Sequence, residues 1–178
     1  LANGFWRLDL TRPREWEPLR MRQPLQGLAM VAWNGMLIRI GGVHARNAAG
    51  QKSDMHSTAE VEQFDPATKE WSPLTPLPEP RSSFDAVVVG NRVYVVGGWK
   101  LSGANSTGTW LDHDYSADLS VQPLRWEPLP KAPFKHRALS VAATSQFLYA
   151  IGGLNADGDA SAAVWILDLA RKSWSQGP

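Results

Sequence analysis

Three times the chain repeats a short β-branched run closed by two glycines. The copies are Met36-Leu37-Ile38-Arg39-Ile40-Gly41-Gly42, Arg92-Val93-Tyr94-Val95-Val96-Gly97-Gly98 and Phe147-Leu148-Tyr149-Ala150-Ile151-Gly152-Gly153. Their first glycines recur at an interval of about 55 residues, the kind of period that marks repeat architectures. Tryptophan keeps the same interval from Trp16 to Trp71 and from Trp71 to Trp126, and Trp174 follows at a somewhat shorter one. Such a period restricts the chain to folds in which one small unit packs repeatedly on copies of itself. No segment of ten or more residues has a clean helical period, so the unit is made of strands.

The first complete unit predicts four of them. Leu28 to Trp33 is an apolar run, and Asn34-Gly35 is a tight-turn signal leading into Met36 to Gly42. Residues 43–58 are polar and read as a long loop. Glu60 to Asp65 is a third strand, stopped at Asp65-Pro66, and Glu70 to Leu74 is a fourth, interrupted by proline as an edge strand tolerates. The second unit repeats the order with Phe84 to Val89, Arg92 to Gly98, a loop from Trp99 to Asp114, Tyr115 to Val121, and Arg125 to Leu129. The third has Leu139 to Thr144, Phe147 to Gly153, a shorter loop over 154–161, Ala162 to Leu169 and Lys172 to Ser175. Four short antiparallel strands in a unit of about 50 residues describe a β-propeller blade. Phe5 to Leu10 and Glu15 to Leu19 align with the two outer strands of a preceding one.

These residues resemble the kelch-motif family. The resemblance rests on the diglycines, on Tyr94 and Tyr149 three places before the first glycine, on Asp65-Pro66, on the tryptophan of each fourth strand, and on Arg81 at its set distance ahead of Gly97. The chain departs from the pattern at Ile38, which replaces tyrosine, at Ser120, which aligns with Asp65, and at His136, which aligns with Arg81 and is followed by Arg137. The expected fold is therefore all-β, with three complete four-stranded blades (25–80, 81–133 and 134–178) and two outer strands of another within 1–24. Gly41, Gly42, Gly97, Gly98, Gly152 and Gly153 make room for close backbone, and Trp16, Trp71, Trp126 and Trp174 are expected to pack in the core. Closed propellers use about four to eight blades. The chain begins at Leu1 rather than methionine, and the expectation is a piece of a six- or seven-bladed ring that meets the remaining blades or self-associates.

Charge narrows the partners. Eighteen basic and 17 acidic residues leave a formal charge of +1, which supplies no field for nucleic acid or an anionic membrane. With no cysteine, disulfides, thiolate nucleophiles and cysteine-based zinc sites are impossible. No apolar run approaches the ~18 residues that would read as a membrane-spanning helix.

In an up-and-down blade, with strands labelled a to d from the centre outwards, the short a–b and c–d turns share one end. The long b–c loops share the other with the d–a links between blades. Chemical variety therefore concentrates on the b–c and d–a face, and a binding site is expected there. The first loop carries His44, Arg46, Lys52, Asp54 and His56; the second carries Trp99, Lys100, Trp110, Asp112, His113 and Asp114. Trp99 and Trp110 lie off the repeat period, and either anchor a ligand or fold over their own loop. Arg81, His136 and Arg137 begin inner strands, and either grip a carboxylate or bond neighbouring loop carbonyls. Asn155 to Asp159 groups oxygen ligands, but without the glutamate that completes a calcium loop it reads as a turn. No metal or other cofactor is expected.

The reading that follows is a non-catalytic module that binds a protein, peptide or glycan. The alternative, implied by the resemblance, is a carbohydrate-active enzyme of the sialic-acid mutarotase type. The family's copper-dependent galactose oxidase needs a cysteine cross-linked to tyrosine, which this chain lacks.

Overall fold

A computed structural model describes residues 4–178; the start of the first segment, residues 1–3, lies outside the described residues. Every element is a strand. β1 (Phe5–Leu8) and β2 (Trp16–Leu19) form an antiparallel pair. The first full unit follows, as β3 (Ala29–Trp33), β4 (Met36–Ile40), β5 (Val43–Ala45), β6 (Met55–Ser57), β7 (Val61–Asp65) and β8 (Glu70–Leu74). The second comprises β9 (Asp85–Val89), β10 (Arg92–Val96), β11 (Trp99–Lys100), β12 (Thr109–Trp110), β13 (Tyr115–Asp118) and β14 (Glu127–Pro128). The third is β15 (Ser140–Ala143), β16 (Phe147–Ile151), β17 (Val164–Asp168) and β18 (Ser173–Gln176). The blades are the antiparallel sheets β3-β4-β7-β8, β9-β10-β13-β14 and β15-β16-β17-β18, and the β1–β2 pair is a separate two-stranded sheet whose Phe5 packs on Phe64 and Trp71 of the first blade. The a strands β3, β9 and β15 lie side by side around the centre.

The alternation of β10 shows why these runs are apolar throughout. Successive side chains of a strand point to opposite faces, and both faces of a central blade are covered. Val93 and Val95 enter a core shared with Ile38, Ile40, Leu77 and Phe84 of the neighbouring seam. Tyr94 and Val96 enter a second core with Leu139, Leu148, Ala150 and Leu167 of the third blade. Full burial of each such side chain stabilises by about 1.5–3 kcal/mol, so blades adhere by their faces.

Two glycines close each b strand because another backbone crosses there. A Cβ on Gly97 would lie 2.7 Å from the His136 carbonyl oxygen, and one on Gly98 would lie 2.8 Å from that of Ser82. Both residues also have positive φ, 74° and 98°.

Three expectations need correction. The third strand of the second blade stops at Asp118 and does not reach Val121. Asp118, not Ser120, occupies the position of Asp65: Leu37 pairs with Phe64, which sets Met36 opposite Asp65, as Arg92 pairs with Asp118. Asp65 and Asp118 each cap their turn by accepting a backbone N–H two residues on, from Ala67 at 2.7 Å and Ser120 at 2.9 Å. The carboxylate makes this turn, and Pro66 is incidental to it. Second, the stretches 43–58 and 99–114 contain the hairpins β5–β6 and β11–β12. Third, Trp16 is 61% exposed and packs in no core formed by the described residues. Trp71, Trp126 and Trp174 are half-buried, with the rings of the latter two packed against the cores.

Candidate functional site

The end of each b strand, the start of the c strand and the d–a link converge at one end of the molecule. Gly41 N donates to Glu60 O at 2.8 Å, and Gly42 N donates to the link at Arg81 O at 2.9 Å. From this platform each unit raises its rim segment in the same way. A link residue forms a bridge with the first residue of the rim: Gln26 with Val43, Ser82 with Trp99, and Arg137 with Leu154. The first two rims are also stitched together. Ser57 N donates to Leu101 O and Gly103 N to Met55 O, both at 2.9 Å, and the Ser57 and Ser82 hydroxyls are 2.9 Å apart. Between the second and third rims the connection is aromatic and cationic.

There the fold assembles three residues, one of them distant in sequence from the other two. Trp99 and Trp110 are cross-strand partners on β11 and β12, with ring centroids 6.0 Å apart. The Arg137 guanidinium, from the third blade's link, lies 4.0 Å from the Trp99 centroid and 5.5 Å from that of Trp110. Gly108 packs against Trp99 so closely that a Cβ there would lie 2.4 Å from the ring. Both tryptophans and Arg137 stay half-exposed. Among the described residues no carboxylate pairs with Arg137. Its Nε is buried without an acceptor. Stacking fixes the plane of the guanidinium while leaving its charge uncompensated. Lys131 and Lys135 flank the same seam, both 3.4 Å from Asp112 Oδ2, while Asp112 Oδ1 lies 2.9 Å from Nδ1 of the exposed His113. Burial pushes the Asp112 carboxyl up, but the two lysines prevail and hold it below its ordinary value.

Arg81 and His136 have a different fate. Arg81 is fully buried, donating to Gly97 O at 3.0 Å and to His113 O, with Asp114 Oδ1 at 3.8 Å and the Tyr115 ring at 5.1 Å. Asp114 accepts from Gly97 N at 2.8 Å. Burial pushes the Arg81 guanidinium down and the Asp114 carboxyl up, and their mutual attraction opposes both shifts. Arg81 thus bonds loop carbonyls through its terminal nitrogens, and its Nε, though without a partner, is sealed from any ligand by burial. His136 is 8% exposed and packs on Phe134; burial lowers its imidazole below the ordinary 6.5, against a Gly152 backbone hydrogen bond. Its carbonyl accepts from Gly98 N at 2.8 Å.

His44 lies apart from this cluster, on the first rim. It faces His56 across the β5–β6 pair, the rings stacked with centroids 5.9 Å apart, and His56 Nε2 lies 2.8 Å from Asp54. Arg46 is exposed on the same rim, and Lys100 is half-buried on β11 beside Trp99.

Comparison with known proteins agrees with this architecture. The Kelch motif family matches residues 80–110, which span Arg81, the diglycine and the β11–β12 rim. An F-box/kelch-repeat protein of Arabidopsis thaliana is 32% identical over 127 residues, 66% of this chain and 31% of that protein. Kelch-like protein 13 of Mus musculus is 32% identical over 124 residues, 69% of this chain and 17% of that protein. The chain belongs to the kelch-repeat family. A solved structure of YjhT superposes on the kelch chain with a TM-score of 0.78 at 18% identity, covering 99% of this chain and 59% of that one, a likeness of fold. The kelch chain spans less than a third of the length of these curated relatives.

Within the kelch blades a further cleft lies elsewhere, at the short-turn end between the second and third blades, with a volume of about 260 Å³. Arg92 and Lys172 line it, at positions for which the sequence offered no signal beyond ordinary turn residues.

Proposed function

We propose that this chain is a non-catalytic interaction module that binds a protein or peptide segment on the face formed by the rims and the d–a links, at the seam of the second and third blades. The observation that carries the reading is Arg137, stacked at 4.0 Å on Trp99 with no carboxylate partner among the described residues. A guanidinium held flat and uncompensated is built for a carboxylate, and rigid aromatics beside it offer contact area at low entropic cost. Lys131 and Lys135 extend the positive field around it. The segment that fits is acidic, with an apolar residue to lie on Trp110.

An array of immobilised synthetic peptides, sorted by net charge, tests this. Retention is expected to concentrate on acidic peptides and to be lost with Arg137→Ala, while Arg46→Ala on the distant rim leaves it unchanged. Retention indifferent to peptide charge, or indifferent to Arg137, would overturn the reading.

A further inference from the structure

The three seams between successive sheets differ at the short-turn end. At the first, Lys69 of the β7–β8 turn reaches across to Glu17 on β2 at 2.5 Å, and a smaller cleft of about 210 Å³ lined by Arg20, Arg22 and Trp71 lies beside the pair. At the second, the longer β13–β14 connection inserts Leu119 and Leu124, both buried in the seam core. At the third, Lys172 stands where Lys69 does, in the same place after the turn aspartate and with the same positive φ (53° against 61°). Glu127 follows Trp126 as Glu17 follows Trp16. Yet the two do not meet. Glu127 instead accepts from Arg92 Nη1 at 2.7 Å, and Lys172 is left lining the 260 Å³ cleft of this seam without that partner.

The cleft has an organised wall. Arg92 and Tyr94 on β10, Ser116 on β13 and Glu127 on β14 all point from one face of the second blade. Arg92 Nη1 also donates to Ser116 Oγ at 2.9 Å, which fixes the guanidinium, while Nη2 has no acceptor among the described residues. Tyr94 is 9% exposed, and its hydroxyl likewise has no partner among them; burial raises its pKa, keeping it a neutral donor. Leu129 and Leu167 form an apolar wall. The charges at the cleft pair off as Arg92 with Glu127 and Asp168 with Arg171 at 3.7 Å, which leaves Lys172 at the mouth without a carboxylate partner among the described residues.

We infer that this cleft is a second ligand site, distinct from the rim face, for a small organic monocarboxylate whose carboxylate bridges Lys172 and Arg92 Nη2 and whose apolar body lies against Leu129 and Leu167. One net positive charge, two free cationic donors and a neutral hydroxyl match one carboxylate. The volume lies at the small end of ligand pockets, which run about 300–1,000 Å³, and so selects a ligand of roughly single-ring size. The rim proposal does not bear on this site, because the two lie at opposite ends of the blades.

The probe is 4-fluorobenzoate, followed by fluorine NMR line broadening, with 4-fluorobenzamide as its uncharged counterpart. Benzoate is expected to bind in the millimolar range and the amide not to bind. Amide chemical shifts should move at Ser116 and Leu167 and stay fixed at Trp99. Lys172→Asn removes the charge yet tolerates the left-handed backbone, and is expected to weaken binding about fivefold or more. Leu129→Trp, which fills the cleft, should abolish it. Equal binding of the amide, no benzoate binding, shifts confined to the rim, or full affinity in Lys172→Asn would each overturn the inference.

Discussion

Trp126 donates its indole N–H to the carbonyl oxygen of Thr75 at 3.1 Å, just past the end of the preceding blade's outer strand. Trp71 does the same to Arg20 at 3.2 Å, and Trp174 to Pro130 at 3.0 Å. The acceptors Arg20, Thr75 and Pro130 follow one another at the same interval as Trp16, Trp71 and Trp126. The tryptophan period therefore records a latch between consecutive sheets, in which the ring packs on the seam and the N–H ties it to the neighbouring backbone.

The latch separates two energies. Trp126→Phe keeps most of the ring area and loses one hydrogen bond, so it should cost about 1 kcal/mol. Trp126→Ala also loses the ring's packing and should cost about 3 kcal/mol. Trp16, mostly exposed, should tolerate alanine within about 0.5 kcal/mol. Urea denaturation midpoints of the three variants rank these costs; equal losses at Trp16 and Trp126 would contradict the assignment.

Gly90 and Gly97 both have positive φ, 59° and 74°, but only Gly97 is crowded; around Gly90 an added Cβ would meet nothing within 4 Å. Gly90→Ala should cost only the left-handed backbone penalty, about 1 kcal/mol. Gly97→Ala adds the collision with the His136 carbonyl and with Leu139, and should cost at least twice as much. Chemical denaturation of the pair isolates the steric component.

Arg39 and Glu62 form an ion pair with both side chains nearly buried (4% and 5% exposed), supported by Arg22 and by Gln23 O at 3.1 Å. In the second blade Val95 and Tyr115 occupy the same paired positions. Glu62→Ala strands a buried guanidinium and should cost about 3–5 kcal/mol. The double substitution Arg39→Val with Glu62→Tyr, which copies the second blade, should recover most of that loss. A double-mutant cycle by thermal denaturation checks it, and strictly additive losses would count against the pairing.

His44 and His136 are both held below the ordinary imidazole value of 6.5, chiefly by burial, with Arg46 and His56 adding to the effect at His44. The unfolded chain therefore binds protons more readily than the folded one over this range. Their contribution to stability is complete above about pH 6.5 and is lost as pH falls through the lower folded-state values. The melting temperature should drop between pH 7 and 5, and the His44→Gln, His136→Gln double variant should drop less. Parallel pH profiles would refute this origin.

The repeat was legible because blade structure is local. A turn such as Asn34-Gly35, a run such as Val93 to Val96 and the crowding that demands Gly97 each leave a mark within a short stretch of chain, and the period repeats the mark. The end of the fold that carries the rims followed from strand polarity, and the candidacy of Trp99 and Trp110 from their place off the repeat period, as that of Arg137 followed from its place at the start of an inner strand. What the chain's order of residues did not determine was which polar side chains are consumed by the fold. Arg81 and Arg137 look alike in sequence, yet one is sealed under loop carbonyls and the other lies across Trp99. Whether Lys172 is left free at the seam cleft depends on whether it meets Glu127, two residues from different sheets whose separation is set by blade-to-blade packing. Such choices are settled by contacts between residues a whole blade apart in the chain, where burial decides whether a charge must find a partner within the protein or stays available to one outside it.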